Sequence, residues 1–233
     1  MGRGWVHGVR MAAGAKKGKA FTKIAKEITV AARIGGANPE SNPRLRSALK
    51  DAQKNSMPKD TVERAIKRGA GGADETNYEE VTYEAYGPHG VAVLVECLTD
   101  NRNRTVQDLR ALFVRAGGNL GESGSVQWMF DKVGTVTAKI PSKTVDPEEA
   151  AIVCGANEVE DFGDGEWSFV TAPEDLDAVS KALVENSWDV QKSELSYKAK
   201  TPAELSAEQQ SDVQEMLEKL HDNDDVKKIH LSV

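Results

Sequence analysis

The chain has 233 residues, 39% of them hydrophobic and 29% charged, with a formal net charge of −7 and a pI near 5.3. That length and composition suit one large domain or two to three small ones with real cores. Its longest apolar run, Val91 to Val95, is far too short to cross a bilayer, so no membrane partner is expected.

The overall charge hides a sharp segregation. The first 72 residues carry 16 Lys and Arg against 5 Asp and Glu, a net of +11, whereas the other 161 carry 14 against 32, a net of −18. Lys and Arg that displace counterions from phosphates supply most non-specific nucleic-acid affinity, so the basic third is where a polyanion would be held. The acidic remainder is repelled by the same polyanion and should face solvent or a basic protein surface. Cys97 and Cys154 each sit in an apolar surround, as buried thiols of a reducing compartment do. The basic N-terminus lacks both the Ser-rich amphipathic character of a transit peptide and the apolar core of a secretion signal, which points to the cytoplasm.

In the basic third the period is helical. From Ala15 to Arg33, Phe21, Ile24, Ile28 and Ala31 recur at three- and four-residue spacing, and Gly35-Gly36 supplies a stop. Asn42 is the expected N-cap of a second helix with Pro43 at its first position, burying Leu45, Ala48, Leu49 and Ala52 and leaving Arg44, Arg46, Lys50 and Lys54 for other faces. A third helix should start at Pro58, bury Val62, Ala65 and Ile66, and end at Gly69. Residues 69–77 form a Gly-rich linker.

Beyond it the period changes to strands. Val81 to Tyr86 and Val91 to Leu98 flank the hairpin signal Gly87-Pro88-His89-Gly90, followed by a helix from Thr105 to Ala116 and a strand near Ser125 to Phe130. Strand 135–140, helix 146–155, strands 157–162 and 166–171, helix 173–186 and strand 188–197 spell β-α-β-β-α-β, the ferredoxin-like order. Helix 206–221 and strand 225–232 cannot stand alone and complete the earlier set. The expected fold is α+β in three domains: a helical one over 1–76, an α+β one over 77–132 plus 203–233, and a ferredoxin-like one over 133–202 inserted into it.

Thr99-Asp100-Asn101-Arg102-Asn103-Arg104-Thr105 places two arginine forks near a helix start. This is either an anion site suited to phosphate or a set of turn and capping donors whose arginines pair with local carboxylates. Gly117 to Ser125 is Gly-rich, but it closes a helix and leads into a strand, the reverse of a phosphate-cradling loop, and reads as a helix C-cap plus turn. Asp161-Phe162-Gly163 stands without the other parts of a kinase site. His7, His89, His221 and His230 have no ligand spacing, and no nucleophile–base constellation assembles, so neither an enzyme, a metal nor a cofactor is expected. The basic third holds only Trp5 and Phe21 as aromatics, which favours contact with a nucleic-acid backbone over stacking on bases.

Several strings together resemble the YebC family, bacterial relatives of the mitochondrial translational activator of cytochrome c oxidase. They are Lys17-Gly18-Lys19 with Phe21-Thr22-Lys23, Thr29-Val30-Ala31-Ala32-Arg33, Asn42-Pro43-Arg44-Leu45-Arg46, and Met57-Pro58-Lys59-Asp60 running into Glu63 to Gly69. Tyr83-Glu84 with Tyr86-Gly87-Pro88, Glu96 to Thr105, Gly117 to Gly121 and Gly124-Ser125-Val126 complete the set. The start, Met1-Gly2-Arg3-Gly4-Trp5, is shorter and less basic than the family's usual tail. The resemblance implies the same three-domain architecture and a role in gene expression, described for some members as DNA-binding transcriptional regulation and for others as ribosome-associated help to translation.

The expectation is therefore a non-enzymatic nucleic-acid-binding regulator whose partner is DNA or ribosomal RNA. Phosphates would be held by Lys16, Lys17, Lys19, Lys23, Arg44, Arg46, Lys59, Arg64, Lys67 and Arg68, with Arg102 and Arg104 as a second contact. An adaptor whose acidic domains dock a basic protein is the competing reading. Backbone contacts carry no base identity, so the residues alone do not separate DNA from RNA.

Overall fold

The protein's structure, a computed structural model, describes residues 17–71, 77–141 and 145–233. The fold is α+β: an all-α N-terminal part followed by two four-stranded sheets with their helices, the second set inserted into the first. Two compact units emerge, one running up to Val126 and joined by Leu205–Ile229, the other formed by Gln127–Glu204 with His230–Val233. Among the described residues no helix is long and apolar enough to cross a membrane.

Among the described residues the N-terminal part forms three helices, α1 (Lys17–Gly35), α2 (Pro43–Lys54) and α3 (Lys59–Gly69). Their apolar stripes meet in one core of Ile28, Ala31, Leu45, Ala48, Ala52, Met57 and Ala65, with Leu49, Val62 and Ile66 half-buried around it. Asn42 caps α2 as its position predicts, its side-chain oxygen accepting from the Leu45 N–H at 3.0 Å. Its amide also donates to the carbonyls of Ala31 (2.7 Å) and Gly36 (2.8 Å), so one buried side chain starts α2 and fastens the end of α1. Gly69 is where α3 meets α1: a Cβ there would stand 2.2 Å from the Thr29 carbonyl oxygen, closer than any side chain allows.

The first sheet runs β3-β1-β2-β8, with β1 at Glu79–Tyr86, β2 at Ala92–Thr99, β3 at Asn119–Leu120 and β8 at Val226–Leu231. Central β2 is almost wholly buried, matching its unbroken Ala-Val-Leu-Val run. Helices α4 (Arg102–Arg115) and α7 (Ala207–His221) pack together and contribute Leu109, Phe113, Met216, Leu217 and Leu220 to the core. Helix α4 begins three residues earlier than the periodicity predicts, because the Asn101 side chain accepts from the Arg104 N–H at 3.1 Å and caps it there.

The strand expected near 125–130 does not form. Residues Gln127–Met129 make a 3-10 turn, and β4 runs unbroken over Phe130–Lys139. The cause is Glu84, buried on β1, whose carboxylate accepts the N–H groups of Gly124 (2.6 Å) and Val126 (2.7 Å) that a strand would have used. The Tyr86 hydroxyl donates to the Ser125 carbonyl at 3.0 Å and holds the same loop.

The second sheet, β5-β6-β4-β7, joins β4 to β5 (Glu158–Gly163), β6 (Glu166–Thr171) and β7 (Asp189–Ala199) in antiparallel pairs, the ferredoxin-like order. Helices α5 (Pro147–Cys154) and α6 (Leu176–Glu185) bury one of its faces around Val136, Phe169 and Leu183, with Phe169 and Trp188 edge to face at 4.9 Å between ring centres.

Two polar clusters fasten the helical part to the first sheet. Asp225, 4% exposed, accepts from Lys26 Nζ at 2.6 Å, from the Arg104 guanidinium at 2.9 Å and from the Thr105 hydroxyl at 2.9 Å. Its backbone carbonyl accepts from the Leu98 N–H at 2.8 Å. Burial alone would raise the pKa of this carboxyl, but the hydrogen bonds from Lys26, Arg104 and Thr105 outweigh burial and hold it below the ordinary range. In the second cluster, Glu27 on α1 meets Arg44 on α2 (2.7 Å) and Lys227 on β8 (3.0 Å), and Glu80 on β1 meets the same two cations.

Two outcomes follow from these contacts. Glu84→Gln removes the charge that binds two buried N–H groups and should lower unfolding stability in urea by about 2 kcal/mol, with Tyr86→Phe costing about 1. A depressed carboxyl pKa gives stability that is complete above the unfolded value of 3.8 and is lost as pH falls through the folded value. Asp225→Asn should therefore cost about 3 kcal/mol at pH 7 and flatten the loss of stability in acid, read from denaturant midpoints between pH 7 and 2.

Candidate nucleic-acid interface

The cations expected to hold phosphate divide into an inward and an outward set. Lys19 donates to the Asp222 carbonyl at 2.9 Å and Lys23 to the His221 carbonyl at 2.6 Å, so both sit at the C-terminal end of α7, where the helix dipole favours positive charge. Burial pushes the Lys23 amine down to about 8, against the nearby Asp224. Arg44 lies in the cluster with Glu27 and Glu80, and these partners raise its pKa despite burial. Arg104 spans Asp100 and Asp225, whose hydrogen bonds raise its pKa, and Arg102 pairs with Glu79. Lys16 lies outside the described residues; Lys17 opens α1.

The loop before α4 thus spends its polar groups locally. Asn101 caps the helix, and the Thr99 hydroxyl accepts from the Asn101 N–H at 2.9 Å and lies 2.8 Å from the Thr105 hydroxyl, whose proton goes to Asp225. Beside it opens a cleft of about 390 Å³ lined by Asp100, Asp108, Asp224 and Asp225 against Lys26 and Arg104. Four carboxylates facing two cations repel phosphate. Among the described residues no group of three or more His, Cys, Asp and Glu could hold a metal ion. Cys97 and Cys154 are buried free thiols, and burial pushes Cys97 up to about 12.

Arg46, Lys59, Arg64, Lys67 and Arg68 are all exposed on α2 and α3. Arg46 donates to the Glu40 carbonyl at 3.3 Å, and Arg64 to the Asp60 carbonyl at 3.1 Å and the Thr61 hydroxyl at 3.4 Å, local contacts that leave further donors on each guanidinium fork. Lys50 and Lys54, also exposed, follow Arg46 at four-residue steps and extend its row along α2. On α3, Arg64, Lys67 and Arg68 share a face by the same spacing, opposite the buried Ala65 and Gly69. Lys50 and Lys54, which periodicity places with Arg46 off the buried stripe but which are not among the expected phosphate contacts, belong with the outward set; the four-residue step from Arg46 is the signal that marks them. Neither helix carries an aromatic residue, so this face suits charged sugar–phosphate chains and not stacked bases.

Comparison with known proteins bears on the whole chain. Residues 5–72 match the TACO1/YebC protein N-terminal domain, and residues 78–233 match the TACO1/YebC second and third domain. A protein of Bdellovibrio bacteriovorus named "Probable transcriptional regulatory protein Bd1964" is 51% identical over 100% of both chains. One of Citrifermentans bemidjiense, named "Probable transcriptional regulatory protein", is 46% identical over 94% of this chain and 88% of its own. The crystal structure of a conserved hypothetical protein, Aq1575 of Aquifex aeolicus, superposes with a TM-score of 0.82 at 40% identity, covering 94% of this chain and 91% of that one. With the helical part, both sheets and their strand orders in place, the chain belongs to the TACO1/YebC family.

Proposed function

We propose that the protein is a non-enzymatic, cytoplasmic regulator of gene expression that holds nucleic acid by its backbone through the outward faces of α2 and α3. The observation that carries this is the exposed row of Arg46, Lys50 and Lys54 on α2 together with the exposed face of Arg64, Lys67 and Arg68 on α3, on helices whose other sides are core. The relatives' name, probable transcriptional regulatory protein, supports a transcriptional role, for which DNA would be the target. Ribosomal RNA offers the same phosphates, and the absence of an aromatic or base-reading row on either helix leaves the choice to shape.

The test is a salt series with duplex DNA, structured RNA and purified ribosomes, using the full chain. Each phosphate contact contributes about 0.9 to the slope of log affinity against log salt on duplex DNA. The triple variant Arg64→Gln/Lys67→Gln/Arg68→Gln should weaken binding at least tenfold at low salt and make the slope shallower by about 2 to 3. Lys181→Gln, on α6 of the second sheet's unit, should change neither. A triple variant that folds normally and keeps wild-type affinity for all three ligands would refute the reading.

A further inference from the structure

Helix α4 buries Thr105, Leu109 and Phe113 along one side and leaves the opposite side to solvent. Gln107, Ala111 and Val114 run down the middle of that exposed side, each next to the following one at four- or three-residue spacing, and Val114 is 62% exposed. At about 3.6 residues per turn, Arg110 borders this uncharged strip on one flank and Arg115 on the other, and both are exposed. No residue three or four positions from either arginine is acidic. Outside the helical part, the residues of the same unit, 77–126 and 205–229, hold 14 Asp and Glu against seven Lys and Arg. Arg102, Arg104, Lys219 and Lys227 are paired with carboxylates of the chain. Arg110 and Arg115 have no hydrogen bond or ion pair among the described residues, so two guanidinium forks stand unpaired on one helix face where carboxylates are in excess.

We propose that this face docks an acidic amphipathic helix of a partner protein. The partner's apolar stripe would lie along Gln107, Ala111 and Val114, where the small Ala111 lets two helices pack at their ordinary separation. Its Asp and Glu would meet Arg110 on one flank and Arg115 on the other, as flanking charges choose partners between paired helices. The planar guanidinium suits this task because it binds a carboxylate through two parallel hydrogen bonds. A nucleic-acid backbone would lay its phosphates over Ala111 and Val114, and it would approach a part of the chain where carboxylates outnumber cations two to one. A second copy of this chain would set Arg110 against Arg110 and Arg115 against Arg115 across a twofold contact of antiparallel helices.

The probe is a fluorescent 14-residue helical peptide with one stripe of leucine and alanine flanked by glutamate, titrated into the full chain at moderate salt. One control peptide carries glutamine for every glutamate, and a second carries serine for every leucine. The parent peptide should bind at least tenfold more tightly than either control. Arg110→Gln/Arg115→Gln should weaken it about tenfold, Ala111→Glu at least as much, and the milder Val114→Ser severalfold. Arg64→Gln/Lys67→Gln/Arg68→Gln should leave it unchanged, which separates docking on α4 from adhesion of an acidic peptide to the cationic helices. The substituted positions are exposed, and unfolding midpoints close to wild type verify that each variant folds. The proposal fails if the serine peptide binds as well as the parent, or if the Arg110/Arg115 variant binds like wild type. It fails equally if only the Arg64/Lys67/Arg68 variant loses the peptide, or if the chain sediments as a dimer that Ala111→Glu dissociates. The faces of α2 and α3 keep their charge in the Arg110/Arg115 variant, so its affinity for DNA and RNA reports separately on the reading given under Proposed function.

Discussion

Asp225 is the residue on which the helical part's position depends. It is a buried carboxylate at the turn into β8, and it collects Lys26 from α1 and Arg104 and Thr105 from α4. A charge buried this deeply is tolerated only with several donors around it, because desolvation alone costs more than one ion pair returns. Thr99 and Asn101 belong to the same arrangement, since they shape the start of α4 that brings Arg104 and Thr105 to the carboxylate. The cluster of Glu27, Arg44, Glu80 and Lys227 repeats the device a short way along α1, so the helical part is held at two points.

This use of charge changes what the basic third means. A net of +11 over 72 residues looks like one polyanion-binding surface, yet Lys19, Lys23, Lys26 and Arg44 are spent on the protein's own carbonyls and carboxylates. Among the described residues, those left outward include Arg33 near the end of α1 and the row and face on α2 and α3, on the sides away from their shared core. Inward cations act as fasteners that orient the helices, and outward ones reach solvent. The acidic excess of the rest of the chain is divided in the same way: Asp225, Glu80 and Asp222 complete the fasteners, while Glu148, Glu149 and Glu185 face solvent.

Much of the fold was legible because local rules and tertiary needs agree. Asn42 followed by Pro43 marks a helix start that the structure keeps, and Asn42 then gains buried partners that no pattern could announce. The β-α-β-β-α-β order of residues 133–202 is plain in the alternation of periods, and the strand order follows from it. The strand near 125–130 was misread for a definite reason. Ser125 to Phe130 has strand-like residues, but the Glu84 carboxylate, some forty positions away, takes the donors of Gly124 and Val126 and turns the chain. The start of α4 shifted because a side-chain cap outranked the apolar period.

Residue types and spacing alone determined that this chain builds a cationic helical part and an anionic α+β remainder, since periodicity and charge are properties of the line of residues. Which cations face outward was decided only by the tertiary structure. Lys23 and Lys50 are the same residue on similar helices, and they differ because a helix end stands over one and solvent over the other. An electrostatic partner is a matter of distance in space, and distance in space is set by packing.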